Sequence, residues 1–143
     1  MSNLFPGMFQ NERISSAVSI EAQYVTRNFQ NSHASFIGQS IFASEMYKHQ
    51  VKKKFEYLSG IWKAETMFSS SISEIVNNSS YRAIINLGED ALPLIIDDLK
   101  KTDTHWFYAL ESITGENPIK KEHRGVIPMM KVDWIEWATQ KIE

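Results

Sequence analysis

Apolar and polar residues alternate along most of this chain with the period of a helix. Val51, Phe55, Leu58 and Trp62 are spaced four, three and four, with Lys48, Lys52, Lys53, Lys54 and Glu56 on the solvated side. That helix should fade in Ser69-Ser70-Ser71. Ser71 followed by Glu74 reads as a capping box, in which the hydroxyl accepts from a first-turn amide and the carboxylate returns the bond. A short helix carrying Ile72, Ile75 and Val76 follows and ends at Asn77-Asn78. Ser80 then caps a helix through Tyr81, Ile84, Ile85 and Leu87, with Gly88 suited to the left-handed position after its end. Leu92, Ile95, Ile96 and Leu99 obey the i, i+3, i+4, i+7 rule behind Pro93, which the first turn tolerates. Thr104 or Asp103 should cap the next helix, where Trp106, Ala109, Leu110 and Ile113 repeat the rule until Gly115 stops it. Residues 116–125 read as a charged loop, and Pro128 opens a last helix whose inner face is Met130, Trp134, Trp137 and Ala138.

The first 45 residues are different. They hold 17 Ser, Thr, Asn or Gln residues and five charged ones. Ile14, Val18, Ala22, Val25 and Phe29 fit a helix face, although Val18, Ile20, Ala22 and Tyr24 also alternate as a strand would. Helix is the reading adopted. Asn31-Ser32 is the expected break, after which Phe36, Ile37 and Ile41 begin another amphipathic stretch. Leu4, Phe5, Met8 and Phe9 cluster around Pro6-Gly7 and should dock on the chain's own body or on a partner. The expected architecture is all-α: a compact bundle of about six or seven helices, divided into a polar helical arm or cap (1–45) and a helical domain (46–143).

Leu87 to Leu99 followed by Trp106 to Gly115 resembles a HEAT-type hairpin, with its Gly turn, Ala-x-Pro start, aliphatic helix and second helix carrying Ala-Leu. Over residues 55–137 the chain also resembles a group of small uncharacterised bacterial helical proteins. The landmarks are Trp62 and Glu65 with Ser69-Ser70, Tyr81, Ile84-Ile85, Gly88, Ala91 to Ile95, His105-Trp106-Phe107, Ala109-Leu110, Ile113-Thr114-Gly115, Pro118 and Trp134-x-x-Trp137. It departs from them in having Ser79-Ser80 where His-Pro is usual, and in lacking their Gly-Tyr ending. The resemblance implies a helical module without known chemistry, of a kind that accompanies bacterial accessory and conflict genes.

Composition narrows the function further. The 143 residues carry a net charge of −2, which argues against a dedicated phosphate-backbone binder. The charge is unevenly placed: residues 1–72 hold seven bases against five acids, and residues 73–143 hold eight against twelve. Zero cysteines exclude thiol catalysis, disulfides and Cys-ligated zinc, and favour a reducing, cytoplasmic setting. The longest apolar run, Ala91 to Ile96, is far short of the ~20 residues that span a bilayer, and no secretory signal is visible. No phosphate-binding glycine loop, dinucleotide fingerprint, zinc-protease helix or nucleophile elbow is present, and His33, His49, His105 and His123 lack metal-ligand spacing. No cofactor, metal or catalytic residue is assigned.

The expectation is therefore a non-enzymatic interaction protein, an accessory or neutralising (antitoxin- or immunity-like) subunit whose partner is encoded nearby. The acidic ridge with Asp97 and Asp98 would steer it, and His105, Phe107 and Tyr108 would supply contact. Trp62, Trp106, Leu110, Ile113, Trp134 and Trp137 are assigned to the core. Self-association is left open and a membrane role is not expected. Two alternatives stand beside this reading: a nucleic-acid regulator using the lysine cluster, and an enzyme built on His105, Glu65 and Glu111.

Overall fold

The computed structural model describes residues 33–142. The expectations for the 4–9 cluster, the 14–29 stripe and the 31–32 break lie outside the described residues. Six α-helices and two short 3-10 turns follow one another, with no strand among the described residues. They are α1 (His33–Thr66), α2 (Ile72–Asn77), α3 (Ser79–Ile85), α4 (Leu92–Lys101), α5 (Phe107–Thr114) and α6 (Ile127–Lys141). The 3-10 turns are Gly88–Ala91 and Lys121–His123. The fold is all-α. The chain divides into two compact units, Met1–Met46 and Tyr47–Glu143.

Helix α1 runs unbroken for 34 residues across positions 45 and 46. No proline interrupts it, and Gly38, Ser40, Ser44 and Gly60 weaken a helix without ending it.

Within the unit Tyr47–Glu143, the core is built around four aromatic rings. Trp62 and Trp106 lie 4.5 Å apart between centroids, Trp62 and Tyr81 4.7 Å, Phe55 and Trp106 5.6 Å, and Tyr81 and Trp106 5.7 Å. Phe55 and Trp62 come from α1, Tyr81 from α3 and Trp106 from the entrance to α5, so one cluster ties these three elements together. Such ring pairs add roughly 0.5–1.5 kcal/mol each beyond the area they bury. Ile84, Ile95, Leu99, Leu110 and Trp134 are fully buried around them. The predicted hairpin is present as two successive helices, but its members pack mainly elsewhere: α4 against α6 and the Gly88–Ala91 turn, α5 against α3.

The helix ends show where local sequence rules hold. Gly88 (φ +67°) and Gly115 (φ +70°) both take the left-handed conformation that side chains with a Cβ avoid. Ser71 caps α2 by accepting from the Glu74 amide at 3.4 Å. The return bond is rerouted: Glu74 Oε2 accepts from the Ser69 hydroxyl at 2.6 Å, and Ser69 Oγ in turn accepts from the Ser71 amide at 3.2 Å. Asn78, rather than Ser80, caps α3, its Oδ1 accepting from the Ser80 and Tyr81 amides at 2.9 and 3.3 Å. Neither Thr104 nor Asp103 caps α5. Trp106 sits at the N-cap, and the Tyr81 hydroxyl accepts from the Ala109 amide at 2.9 Å while donating to the His105 carbonyl at 3.0 Å. A tyrosine 28 residues away thus performs the task of an N-cap side chain. Burial pushes that phenol up far beyond its ordinary range, so it stays a neutral donor at any physiological pH.

Candidate protein-interaction surface

The acidic ridge is largely neutralised within the fold. Asp97 is exposed and pairs with Lys101 one turn on, at 2.6 Å. Asp90 accepts from the Tyr47 hydroxyl at 2.7 Å, and Asp103 pairs with Lys131 at 3.3 Å. Asp98 corrects the expectation of a solvated contact residue. Its carboxylate accepts from Lys63 Nζ at 2.7 and 2.9 Å, from Trp106 Nε1 at 2.7 Å and from the Thr102 hydroxyl at 3.2 Å. It is a structural junction between α1, α4 and the entrance to α5. Burial would push its carboxyl up, but the Lys63 and Trp106 hydrogen bonds, the Lys63 charge and Thr102 outweigh that and hold it below the usual range. A shallow groove of about 290 Å3 between α1 and α4 is floored by Phe55, Ser59 and Leu94 and rimmed by Lys52, Lys63 and Asp97. Lys52 faces Glu56 at 3.9 Å, so the rim carries paired rather than single-sign charge.

Phe107 is a second correction. It is buried, because α5 touches α3, α4 and the Gly88–Ala91 turn and so needs an apolar surface wider than one stripe. Its neighbour Tyr108 is half exposed, with its ring 6.5 Å from Tyr81. His105 is half-buried, its ring edge-on to Phe107 at 5.5 Å, and burial lowers its pKa below the ordinary histidine value. Of the five predicted contact residues, Asp97 and Tyr108 are the two that stand well out into solvent.

The six predicted core residues separate as well. Trp62, Trp106, Leu110 and Trp134 are buried, while Ile113 and Trp137 pack against the core from its edge. Trp137 keeps its indole N–H outside, donating to Glu116 Oε2 at 2.7 Å, and meets Trp134 edge-on at 5.2 Å.

Two features were missed by reading the sequence. One is a clasp holding the 116–126 loop to α6. Asp133, with a side chain only 1% exposed, accepts from the Lys120 amide at 3.0 Å and faces His123 Nδ1 at 2.8 Å. Its other oxygen has no hydrogen-bond partner, and Lys120 Nζ stands 3.6 Å from it. Burial pushes Asp133 up, but the Lys120 amide, the His123 hydrogen bond and the charges of His123 and Lys120 leave its pKa lowered.

The other is the turn after α1. Phe68 is 92% exposed, Met67 66% and Ile72 57%. The backbone beneath them is pinned: the Ser69 amide donates to the Thr66 carbonyl at 2.9 Å, the rerouted Ser69–Glu74 cap follows, and Trp62 Nε1 donates to the Ile75 carbonyl at 3.0 Å. A large aromatic side chain is thereby presented to solvent from a fixed backbone. The available signal was Phe68 itself, an apolar residue off the Val51–Trp62 stripe and next to a capping serine run.

No helix among the described residues is long and apolar enough to cross a membrane. No family model, curated protein or solved structure matches this chain.

Proposed function

We propose that this chain is a non-enzymatic protein-interaction module, an accessory or neutralising subunit that masks a protein encoded near it. The observation that carries the reading is the Met67–Phe68 turn. Aromatic side chains bind well because they bury a large area while freezing few torsions, and a pinned backbone removes part of the remaining ordering cost. Phe68 meets both conditions. The internally paired carboxylates at Asp97, Asp98 and Asp103 leave less for charge steering to do, so the anchor moves from the acidic ridge to the apolar turn. Resemblance to helical proteins of bacterial conflict loci supplies the class of partner.

The test is co-expression with the neighbouring gene product, followed by calorimetric titration of the wild type and of Phe68→Ser and Met67→Ser. Loss of one anchor at a well-packed contact costs about 2 kcal/mol or more, some thirtyfold in Kd. Wild-type affinity in both variants, with unchanged circular dichroism, would remove the turn from the interface. The absence of any stoichiometric complex would remove the masking role.

A further inference from the structure

The chain holds six methionines and no cysteine, so thioethers are its only sulfur groups. Among the described residues, Met46 lies inside α1, and Met129 and Met130 inside α6, where a long side chain is drawn back over the preceding turn of helix. Met130 also packs against the core. Met67 is placed differently. It follows Thr66, the last residue of α1, and is 66% exposed, against 47% for Met129 and 43% for Met46. Its neighbour Phe68 stands out into solvent as well. The hydrogen bonds that hold this turn run between other residues: the Ser69 amide to the Thr66 carbonyl, the Ser69 hydroxyl to Glu74, and Trp62 Nε1 to the Ile75 carbonyl.

We infer that Met67 is a reversible oxidation site, at which a hydroperoxide converts the thioether to the sulfoxide and makes the apolar turn polar. A sulfur lone pair takes one peroxide oxygen, the O–O bond breaks, and the other oxygen leaves as water. Sulfur gives up two electrons and the peroxide accepts them. A thiol-dependent sulfoxide reductase reverses the step, releasing the oxygen as water while two thiols become a disulfide. The placement of Met67 gives this chemistry two consequences. It spares the fold, because the bonds that pin the turn do not use the thioether; the same change at core-packed Met130 would disturb packing. It also sets a strong hydrogen-bond acceptor beside Phe68 in an otherwise apolar patch. A partner covering the turn would then bury that acceptor without a donor, which weakens binding about ten- to a hundredfold. This second consequence rests on the interaction role proposed for the turn.

The experiment treats the full chain with dilute hydrogen peroxide and maps each methionine by mass spectrometry after digestion. Met67 should gain one oxygen ahead of Met46, Met129 and Met130, with circular dichroism and thermal midpoint unchanged, and a sulfoxide reductase with thiol should remove it. Hydrophobic-interaction chromatography reads the turn without any partner. Oxidised wild type should elute earlier than reduced, Met67→Gln should elute early with no peroxide, and Met67→Leu should lose most of the peroxide shift. Conversion of Met46 or Met129 ahead of Met67, unfolding at the point of Met67 conversion, or a full shift in Met67→Leu would overturn the site. Calorimetric titration with the neighbouring gene product separates this inference from the interaction role. Equal affinity of reduced and oxidised chains would overturn the effect on binding and leave that role intact. A reduced chain that forms no complex would overturn the role, while the oxidation map still decides the site.

Discussion

Replacing Asp133 by asparagine tests whether a buried carboxylate holds the 116–126 loop to α6. The substitution conserves volume, so no cavity term enters, and what changes is charge. In the wild type, Oδ2 receives the Lys120 amide at 3.0 Å and His123 Nδ1 at 2.8 Å. A hydrogen bond to an ionised acceptor contributes about 1.5–3 kcal/mol and one to a neutral acceptor about 1. Two such bonds downgraded together would cost roughly 1–4 kcal/mol, and relief from burying the charge offsets part of that. The expected net destabilisation is about 1–3 kcal/mol at neutral pH. His123 and Lys120 retain access to water, with side chains 19% and 53% exposed, which keeps the figure below that for a wholly buried pair.

Urea unfolding followed by tryptophan fluorescence measures this directly, since Trp134 is buried beside the substitution and the slope m should stay constant. The pH dependence gives a sharper check. Asp133 has a folded-state pKa below its unfolded value, so its contribution is complete above the unfolded value near ~3.9 and is lost as pH falls through the folded one. The gap between wild type and Asp133→Asn should therefore close in acid. Adding His123→Gln completes a double-mutant cycle, with a coupling of about 1–2 kcal/mol expected. A variant within ~0.5 kcal/mol of wild type, or a gap that persists at low pH, would refute the clasp.

Three further outcomes follow from the same geometry. Trp106→Ala should cost about 3–5 kcal/mol, because its ring is fully buried and packed against three others; an unchanged thermal midpoint would contradict that placement. Tyr81→Phe should cost roughly 1–2 kcal/mol by uncapping α5, seen as faster hydrogen exchange at the Ala109 amide; full protection there would mean that the hydroxyl is not the cap. Asp98→Ala should destabilise by about 2–3 kcal/mol while Asp97→Ala stays within ~0.5, and equal effects would undo the distinction between the junction and the exposed ion pair.

The elements whose instructions are local were legible in the sequence. The Leu92–Leu99 stripe, the glycine stops at 88 and 115 and the serine cap at 71 each depend on residues within a turn or two, and each appears where the pattern places it. Reading failed where one side chain serves a distant backbone. Tyr81 was read as one more apolar position, yet its hydroxyl caps a helix 28 residues on. Asp98 was read as solvated because its neighbour Asp97 is, but a helix turns consecutive residues about 100° apart, and that rotation carries Asp98 onto Lys63 and Trp106. Phe107 falls off the Trp106–Ile113 stripe and so reads as a contact residue beside Tyr108, yet α5 has three neighbours and they bury it.

The same reasoning explains why the proposed anchor was invisible. Hydrophobic periodicity finds apolar residues that share a face, and it discards those that do not. Phe68 lies two residues past the end of α1 and six past Trp62, in a stretch that reads as a cap, so pattern analysis treats it as punctuation. Only the geometry shows that the cap is closed by Ser69 and Glu74 underneath it, leaving the ring 92% exposed on a backbone fixed from both sides. The turn is apolar where the described residues supply no cover for it.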